Sequence, residues 1–317
     1  MSSVTASCSA LPPEVSRILP VLHPGARHWL PRLLAPVTRS TRADRWCASR
    51  LTPLGFPVDL SVATSTPWTT RYATEFVSPE QAPADRLAVG LDRLRSLGIP
   101  SPDEGLTALL LRAHRQHTVM WGAWLSGRHD DAGDRFKLYV EVPKGAAIPV
   151  EREITALLGI LPFPLPEGRL RLVGLDTASR RAERYYQVGR LTMSDIRGIA
   201  PLHLRARANT LHAALGDLLG RSLGEELYGV NANITLTPGA LTICGPAVSW
   251  LGPDHVARDR LVAFAARSGL DLGQYAALTS GCTAHQHGHH GIVSLTLGPD
   301  PDICLSIVFS PFAVNSP

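Results

Sequence analysis

Arg135-Phe136-Lys137-Leu138-Tyr139-Val140-Glu141-Val142 alternates polar and apolar side chains residue by residue. A period of two belongs to a strand whose two faces meet different surroundings. Phe136, Leu138 and Val140 form the apolar face, and Lys137 and Tyr139 the other. Upstream, residues 117–126 read as a partner strand, and the Gly- and Asp-rich segment 127–133 reads as the turn between them.

The same paired signal recurs on both sides of this hairpin. Residues 56–64 and 70–77 pair around Thr66-Pro67-Trp68, residues 170–175 pair with 184–188, residues 232–236 with 240–245 around Thr237-Pro238-Gly239, and residues 292–297 with 303–309 around Gly298-Pro299-Asp300. Helical patterns fill the intervals. Leu87, Leu91, Leu94 and Leu97 share one face behind Asp85 and stop at Gly98, and further helices are expected near 150–158, 192–199, 208–219 and 254–267.

Ten strands in five hairpins separated by helices define an α+β chain. They exclude a doubly wound parallel sheet, in which single strands alternate with helices. Two architectures fit the pattern. One is an open α+β sandwich without a central cavity. The other is a ten-stranded antiparallel barrel of five ββα units with helices outside, whose interior is too wide for side chains alone to fill and which would hold a ligand. Residues 1–45 read as a helical or irregular extension packed on the domain, broken into short pieces by Pro12, Pro13, Pro20, Pro24, Pro31 and Pro36, and residues 46–317 as a single barrel domain.

Composition narrows the function classes. The 317 residues are 44% hydrophobic and 18% charged, which suits a folded chain with a sizeable core. A net charge of +4 rests on 31 basic residues, 29 of them arginine, dispersed rather than gathered into an arm or stripe, so no nucleic-acid partner is expected. No apolar run approaches the roughly 18 to 20 residues of a membrane span, and no membrane association is expected. Cys8, Cys47, Cys244, Cys282 and Cys304 are odd in number, scattered and without a Cys-x-x-Cys pair, consistent with a reducing, cytoplasmic setting.

On the second strand of each of the first three hairpins, one face carries a basic residue: Arg71 with Ala73 and Glu75, Lys137 with Tyr139, Arg184 with Tyr186. Closing the sheet would bring these cations together, and an anion is their natural partner; on an open sheet they would simply face solvent. Two further strings carry less. Asp130-Asp131-Ala132-Gly133-Asp134 spells a diphosphate-metal motif but falls in a hairpin turn, and His285-Gln286-His287-Gly288-His289-His290 reads as a solvated loop; no metal site is assigned.

Pro57-Val58-Asp59-Leu60-Ser61, Arg71-Tyr72-Ala73-Thr74-Glu75, Lys137-Leu138-Tyr139 and Arg184-Tyr185-Tyr186, in that order, resemble the motifs of the dimethylallyltryptophan-synthase branch of the ABBA aromatic prenyltransferases over residues 50 to 311. The resemblance implies the PT-barrel fold. It implies transfer of an isoprenyl group from dimethylallyl or geranyl diphosphate to an indole, tryptophan or other electron-rich aromatic acceptor, with the diphosphate as co-substrate, no required cofactor and magnesium stimulatory at most. Asp59 then stands where the family keeps a glutamate that orients the acceptor and takes up its proton. Arg71, Lys137 and Arg184 would hold the diphosphate. Tyr139 and Tyr186 would shield the allylic cation, and Glu75, Thr242, Ser306 and Trp68 would line the pocket. The chain departs from the family in Asp59 itself and in the last two hairpins, where Thr242 and Cys244, then Ser306 and Val308, replace basic and tyrosyl residues. That thinned wall is similar to the short cyanobactin peptide prenyltransferases and leaves room for a peptide acceptor. Transfer to an O or N atom of a non-indole acceptor, and a non-catalytic barrel that binds a hydrophobic or anionic ligand, are the competing readings.

Overall fold

The computed structural model describes residues 11–66, 68–164, 168–189, 191–223, 232–237, 239–283, 287–300 and 303–312. Two helices, α1 (Pro13–Ile18) and α2 (Pro24–Thr38), precede the hairpin β1 (Val58–Ala63) and β2 (Thr70–Thr74). Then come α3 (Arg86–Ser96) and α4 (Glu104–Gln116), β3 (Ala123–Asp130) and β4 (Gly133–Glu141), α5 (Ala147–Leu158), β5 (Arg169–Asp176) and β6 (Ala182–Val188), and α6 (Met193–Ile199) and α7 (Ala208–Leu219). The chain continues through β7 (Ala232–Thr237) and β8 (Ala240–Pro246), α8 (Ala247–Leu251), α9 (Asp254–Arg267) and α10 (Gly273–Leu278), and β9 (His290–Leu297) and β10 (Ile303–Phe309).

Every neighbouring strand pair is antiparallel, and β1 pairs with β10 as well as with β2, so the curled sheet closes on itself. The helical intervals are irregular: two helices separate the first pair of hairpins, one the next, then two, then three among the described residues. A strict ββα repeat therefore does not describe the chain. The core is the layer between barrel and helices. Val58, Leu60, Leu138, Val140, Val173, Ile243, Val293, Leu295, Leu305 and Ile307 point into it from the strands and meet Leu30, Leu33, Leu110, Ile154, Leu211 and Leu261 from the helices. The opposite parity of each strand faces the lumen.

Three local features differ from the expectation. Helix α2 runs unbroken through Pro31 and Pro36. Interior prolines cost roughly 3 kcal/mol each in an isolated helix, but Leu30, Leu33 and Leu34 are fully buried here and the Trp29 indole N–H donates to Asp134 at 2.7 Å, so tertiary contact outweighs the local penalty. Helix α4 is an added element, signalled by Asp103, whose carboxylate caps it by accepting from Leu106 N–H at 3.0 Å, and by Leu106, Leu109, Leu110 and Ala113 on its buried face. Residues 127–130 are strand rather than turn. The hairpin folds back through Asp131 and Ala132 onto Gly133, whose φ of +116° admits no ordinary side chain.

Candidate functional site

Register decides which side chains meet in the lumen. Arg71 pairs with Arg128, and Arg128 with Arg135, so three guanidinium groups lie side by side on β2, β3 and β4. Arg71 donates to Thr66 Oγ1 at 2.7 Å, yet its Nε is buried without a hydrogen-bond partner. Arg128 Nε is likewise buried and unpartnered by any hydrogen bond, lying 3.4 Å from the Asp130 carboxylate, which also pairs with Arg135. Burial, followed by the mutual repulsion of Arg71 with Arg128 and of Arg128 with Arg135, depresses both Arg71 and Arg128 below the ordinary arginine range. Asp130 feels burial most, but the two guanidinium groups hold it below the usual carboxylate range. One carboxylate does not balance three cations, and buried donors without acceptors are costly. Such a row has the charge and the donors to hold an added anion.

The next level down joins Asp59, Ala73, Ser126, Lys137 and Asp176 across β1 to β5. Lys137 Nζ reaches the Glu183 carboxylate at 2.6 Å and lies 5.9 Å from the Tyr139 ring centre. Burial opposes its charge, but Tyr139 and Glu183 together raise it above the ordinary lysine value. Glu183 also accepts from the Tyr185 hydroxyl at 2.6 Å, and Tyr185 packs edge-on against Tyr139 at 5.8 Å. Asp59 is almost wholly buried. Burial raises its carboxyl to about 7, only partly countered by the Ala73 N–H that it accepts at 3.0 Å.

Arg184 and Tyr186 do not face this lumen. Arg184 pairs with Val173, which pairs with Val140, and both valines belong to the outer core. Arg184 accordingly donates to the Leu161 carbonyl at 3.0 Å, while Tyr186 is buried, donates to Glu151 at 2.9 Å and stacks on Phe163 at 3.9 Å. Because successive side chains alternate faces, reading β6 one residue out of phase exchanges its two faces. Its lumenal residues are Glu183, Tyr185 and Gln187. Val188, which shares parity with Arg184 and Tyr186, was the signal that this side packs outward. Trp68 is also displaced from its expected place at the pocket: it is 85% exposed on the β1–β2 turn.

The remaining expected residues do line the interior or its floor. Thr242 Oγ1 lies 2.8 Å from Thr296 Oγ1, and Ser306 Oγ lies 3.4 Å from Ser61 Oγ. Glu75 is buried and fully engaged, pairing with Arg86 at 2.8 Å and accepting from Ser49 at 2.6 Å and from the Trp124 indole N–H at 3.1 Å. Trp124 stacks face to face on Trp121 at 3.8 Å. Two residues three apart cannot share a strand face, but Trp121 precedes β3, and Gly122 with φ +83° swings it over. A β-carbon at Gly122 would collide with the Pro83 carbonyl. Arg128 lies within the segment 127–133 that reads as a turn, although Ser126-Arg128-Asp130 alternates against Gly127-His129; Arg135 opens the expected strand and shares the parity of Lys137 and Tyr139.

The Asp-rich string does not act as a unit. Asp130 faces the arginines, Asp131 is exposed, and Asp134 on the outer side accepts from Trp29 and lies 2.7 Å from His129. Of the His-rich string, residues 285 and 286 lie outside the described residues, whereas His290 is held in the outer layer by Asp254 and Tyr275 and His289 lines a small cavity with Asp59. Among the described residues no group of three or more His, Cys, Asp or Glu is placed to hold a metal, and no helix is long and apolar enough to cross a membrane.

No family model matches the sequence, and no curated protein matches it. Solved structures do. The 5-dimethylallyltryptophan synthase from Streptomyces coelicolor, in complex with DMASPP and Trp, superposes with a TM-score of 0.74 at 17% identity over 96% of this chain and 94% of that one. The apo form of the prenyltransferase PriB gives 0.72 at 18% identity over 94% of each chain. The 6-dimethylallyltryptophan synthase from Micromonospora olivasterospora, also with DMASPP and Trp, gives 0.70 at 21% identity over 96% and 97%. The chain has the fold of these aromatic prenyltransferases.

Proposed function

We propose that this protein is an aromatic prenyltransferase that takes a dimethylallyl or geranyl diphosphate and attaches its isoprenyl group to an indole, tryptophan or other electron-rich aromatic ring. The observation that carries this reading is the row Arg71, Arg128 and Arg135 on adjacent strands, with the Arg71 Nε buried without an acceptor and the Arg128 Nε held only by a 3.4 Å ion pair to Asp130. A diphosphate gives such donors the acceptors they need, and charge developing on it as the C–O bond breaks is stabilised by guanidinium groups already in place.

The allylic cation lies below that row, where Tyr139 and Tyr185 offer ring faces worth about 2 kcal/mol when desolvated and keep water away. Asp59 faces the acceptor, takes a hydrogen bond from its ring N–H and removes the proton that restores aromaticity. Its shorter side chain, set against the hydroxyl-lined wall of β8 to β10, suits an acceptor seated close to β1, including an aromatic side chain within a peptide. The arginine row supplies the positive charge for ionisation, so turnover is expected to persist in EDTA, with magnesium stimulating at most.

Glu183 supports a second reading. It neutralises Lys137 inside the lumen, as expected of a non-catalytic barrel for a hydrophobic or anionic ligand. Incubating the protein with dimethylallyl or geranyl diphosphate and a panel of indoles, tryptophan and Trp- or Tyr-containing peptides separates the two. Prenylated product by mass spectrometry supports transfer; diphosphate binding by calorimetry with no product from any pair supports the binding barrel.

A further inference from the structure

Asp59 shares a cavity of about 30 Å³ with His289, Ser310 and Thr52 at the end of the barrel where β1, β9 and β10 meet the 51–53 segment. Two of these groups are orphans. Ser310 is 1% exposed with its hydroxyl unpaired, and His289 Nδ1 is buried without a partner. Thr52 is already committed, donating to the Phe56 carbonyl at 3.0 Å. A water molecule needs roughly 10 to 15 Å³ of such space and two to four polar partners. This cavity provides the room, a carboxyl, a hydroxyl and a ring nitrogen.

We propose that the cavity is a water site through which Asp59 passes the proton it takes from the acceptor to His289. The assignment rests on the reading of Asp59 as the base. When the ring C–H bond breaks, its electron pair restores the aromatic system and the proton goes to the Asp59 carboxylate. The resulting acid gives that proton to the water, which hands one of its own to His289 Nδ1, and the imidazolium releases a proton to solvent. No oxidant or other reactant is involved. His289 is half-buried and stacks on Phe312 at 4.4 Å. It stands between lumen and surface.

The surrounding groups fit a relay. Burial and the Ala73 N–H are the influences on Asp59. For His289, burial lowers the basicity; the Asp254 carboxylate and the Ser310 and Pro311 backbone counter it, with His290 opposing. Asp254 is itself fixed by accepting from the His289 and His290 N–H groups at 3.0 and 2.9 Å and by His290 Nδ1 at 2.8 Å. Tyr275 closes that chain at 2.7 Å from His290 Nε2, with Arg258 and Cys282 beyond it. The Asp254 carboxylate is thus fixed in place beside the His289 backbone.

The test begins with substrate-free protein, so that it does not depend on turnover. Carbon-13-labelled aspartate NMR follows the Asp59 titration in wild type, His289→Asn and Ser310→Ala, the last a small change that preserves packing. The expected result is a shift of the Asp59 midpoint by half a pH unit or more in both variants. It is accompanied by a tenfold or greater fall in kcat for His289→Asn at unchanged KM for the prenyl diphosphate, partly restored by added imidazole. An unmoved Asp59 midpoint overturns the water link. A moved midpoint with unchanged kcat in an active enzyme overturns the proton transfer. If wild type forms no product from any donor, the failure lies in the prenyltransferase reading, and the titration alone still decides whether the three groups are coupled.

Discussion

From β1 to β6 the lumen carries Asp59, Arg71, Arg128, Arg135, Lys137, Tyr139, Glu183 and Tyr185; from β8 to β10 it carries Thr242, Cys244, Ser294, Thr296, Cys304 and Ser306. The two sides obey one rule differently. Hydroxyls satisfy each other across neighbouring strands, as Thr242 does with Thr296, and need nothing from a ligand. Charges cannot be left that way. On the first side the acids cover part of the cationic surface, Asp130 beneath Arg128 and Arg135 and Glu183 against Lys137, and leave the Nε atom of Arg71 without an acceptor. On the proposed function, the imbalance is where the diphosphate would sit, and the self-satisfied wall is where a neutral, aromatic acceptor would lie at little desolvation cost.

That contrast can be broken most severely at the arginine row. Arg128→Ala should lower kcat/KM for the prenyl diphosphate on the order of 10²- to 10³-fold, the usual effect of losing one donor to a developing oxyanion, with the melting temperature little changed; steady-state kinetics beside calorimetry reads both. Asp59→Asn should cut product formation by about 10²-fold or more while leaving donor affinity intact. The wild-type rate should rise with pH through about 7 as the carboxyl ionises.

The same residue makes a stability prediction. Its folded value of about 7 lies above the ordinary 3.8, so the protonated form is favoured by folding; the stabilisation is complete below about pH 4 and is lost as pH rises through 7. Asp59→Asn should therefore be relatively more stable than wild type at pH 8 than at pH 4, by up to about 4 kcal/mol, readable from denaturant melts at the two values. Glu183→Gln, which frees Lys137 on the charged side, should tighten diphosphate binding several-fold at low salt, with the gain shrinking as ionic strength rises. An unchanged affinity would place Lys137 outside the anion site. Smallest is Tyr186→Phe, which removes a hydroxyl on the outer face: a loss of about 1 kcal/mol in stability and an unaltered rate, against a measurable rate change for Tyr185→Phe in the lumen.

Much of the scaffold was readable because strands and hairpins are local. The last hairpin was expected at 292–297 and 303–309 and lies at His290–Leu297 and Ile303–Phe309. Helix α9 begins and ends where its pattern does. Lys137 and Tyr139 were assigned to the interior because Phe136, Leu138 and Val140 left one choice of buried face. In β6, both parities carry a tyrosine and a charge, Glu183 with Tyr185 and Arg184 with Tyr186, so only Val188 at the strand's end marks the outward face, and the Arg-x-Tyr spelling points the wrong way. Arg128 was lost for another reason: glycine and aspartate at 127–133 look like turn, but a turn can be as short as two residues when Gly133 takes a positive φ.

The amino-acid sequence by itself determined which segments are strands, their pairing into hairpins, and the chemical inventory of a basic, tyrosine-bearing interior, since each rests on a periodicity or a turn spanning a few residues. Only the tertiary structure decided which face of β6 looks inward, that Arg71, Arg128 and Arg135 stand shoulder to shoulder, and that Asp59 shares a cavity with His289 and Ser310 more than 200 positions away. Those outcomes depend on register across neighbouring strands and on which side the helices cover. Both are set by the closure of the whole sheet rather than by any one of its strands.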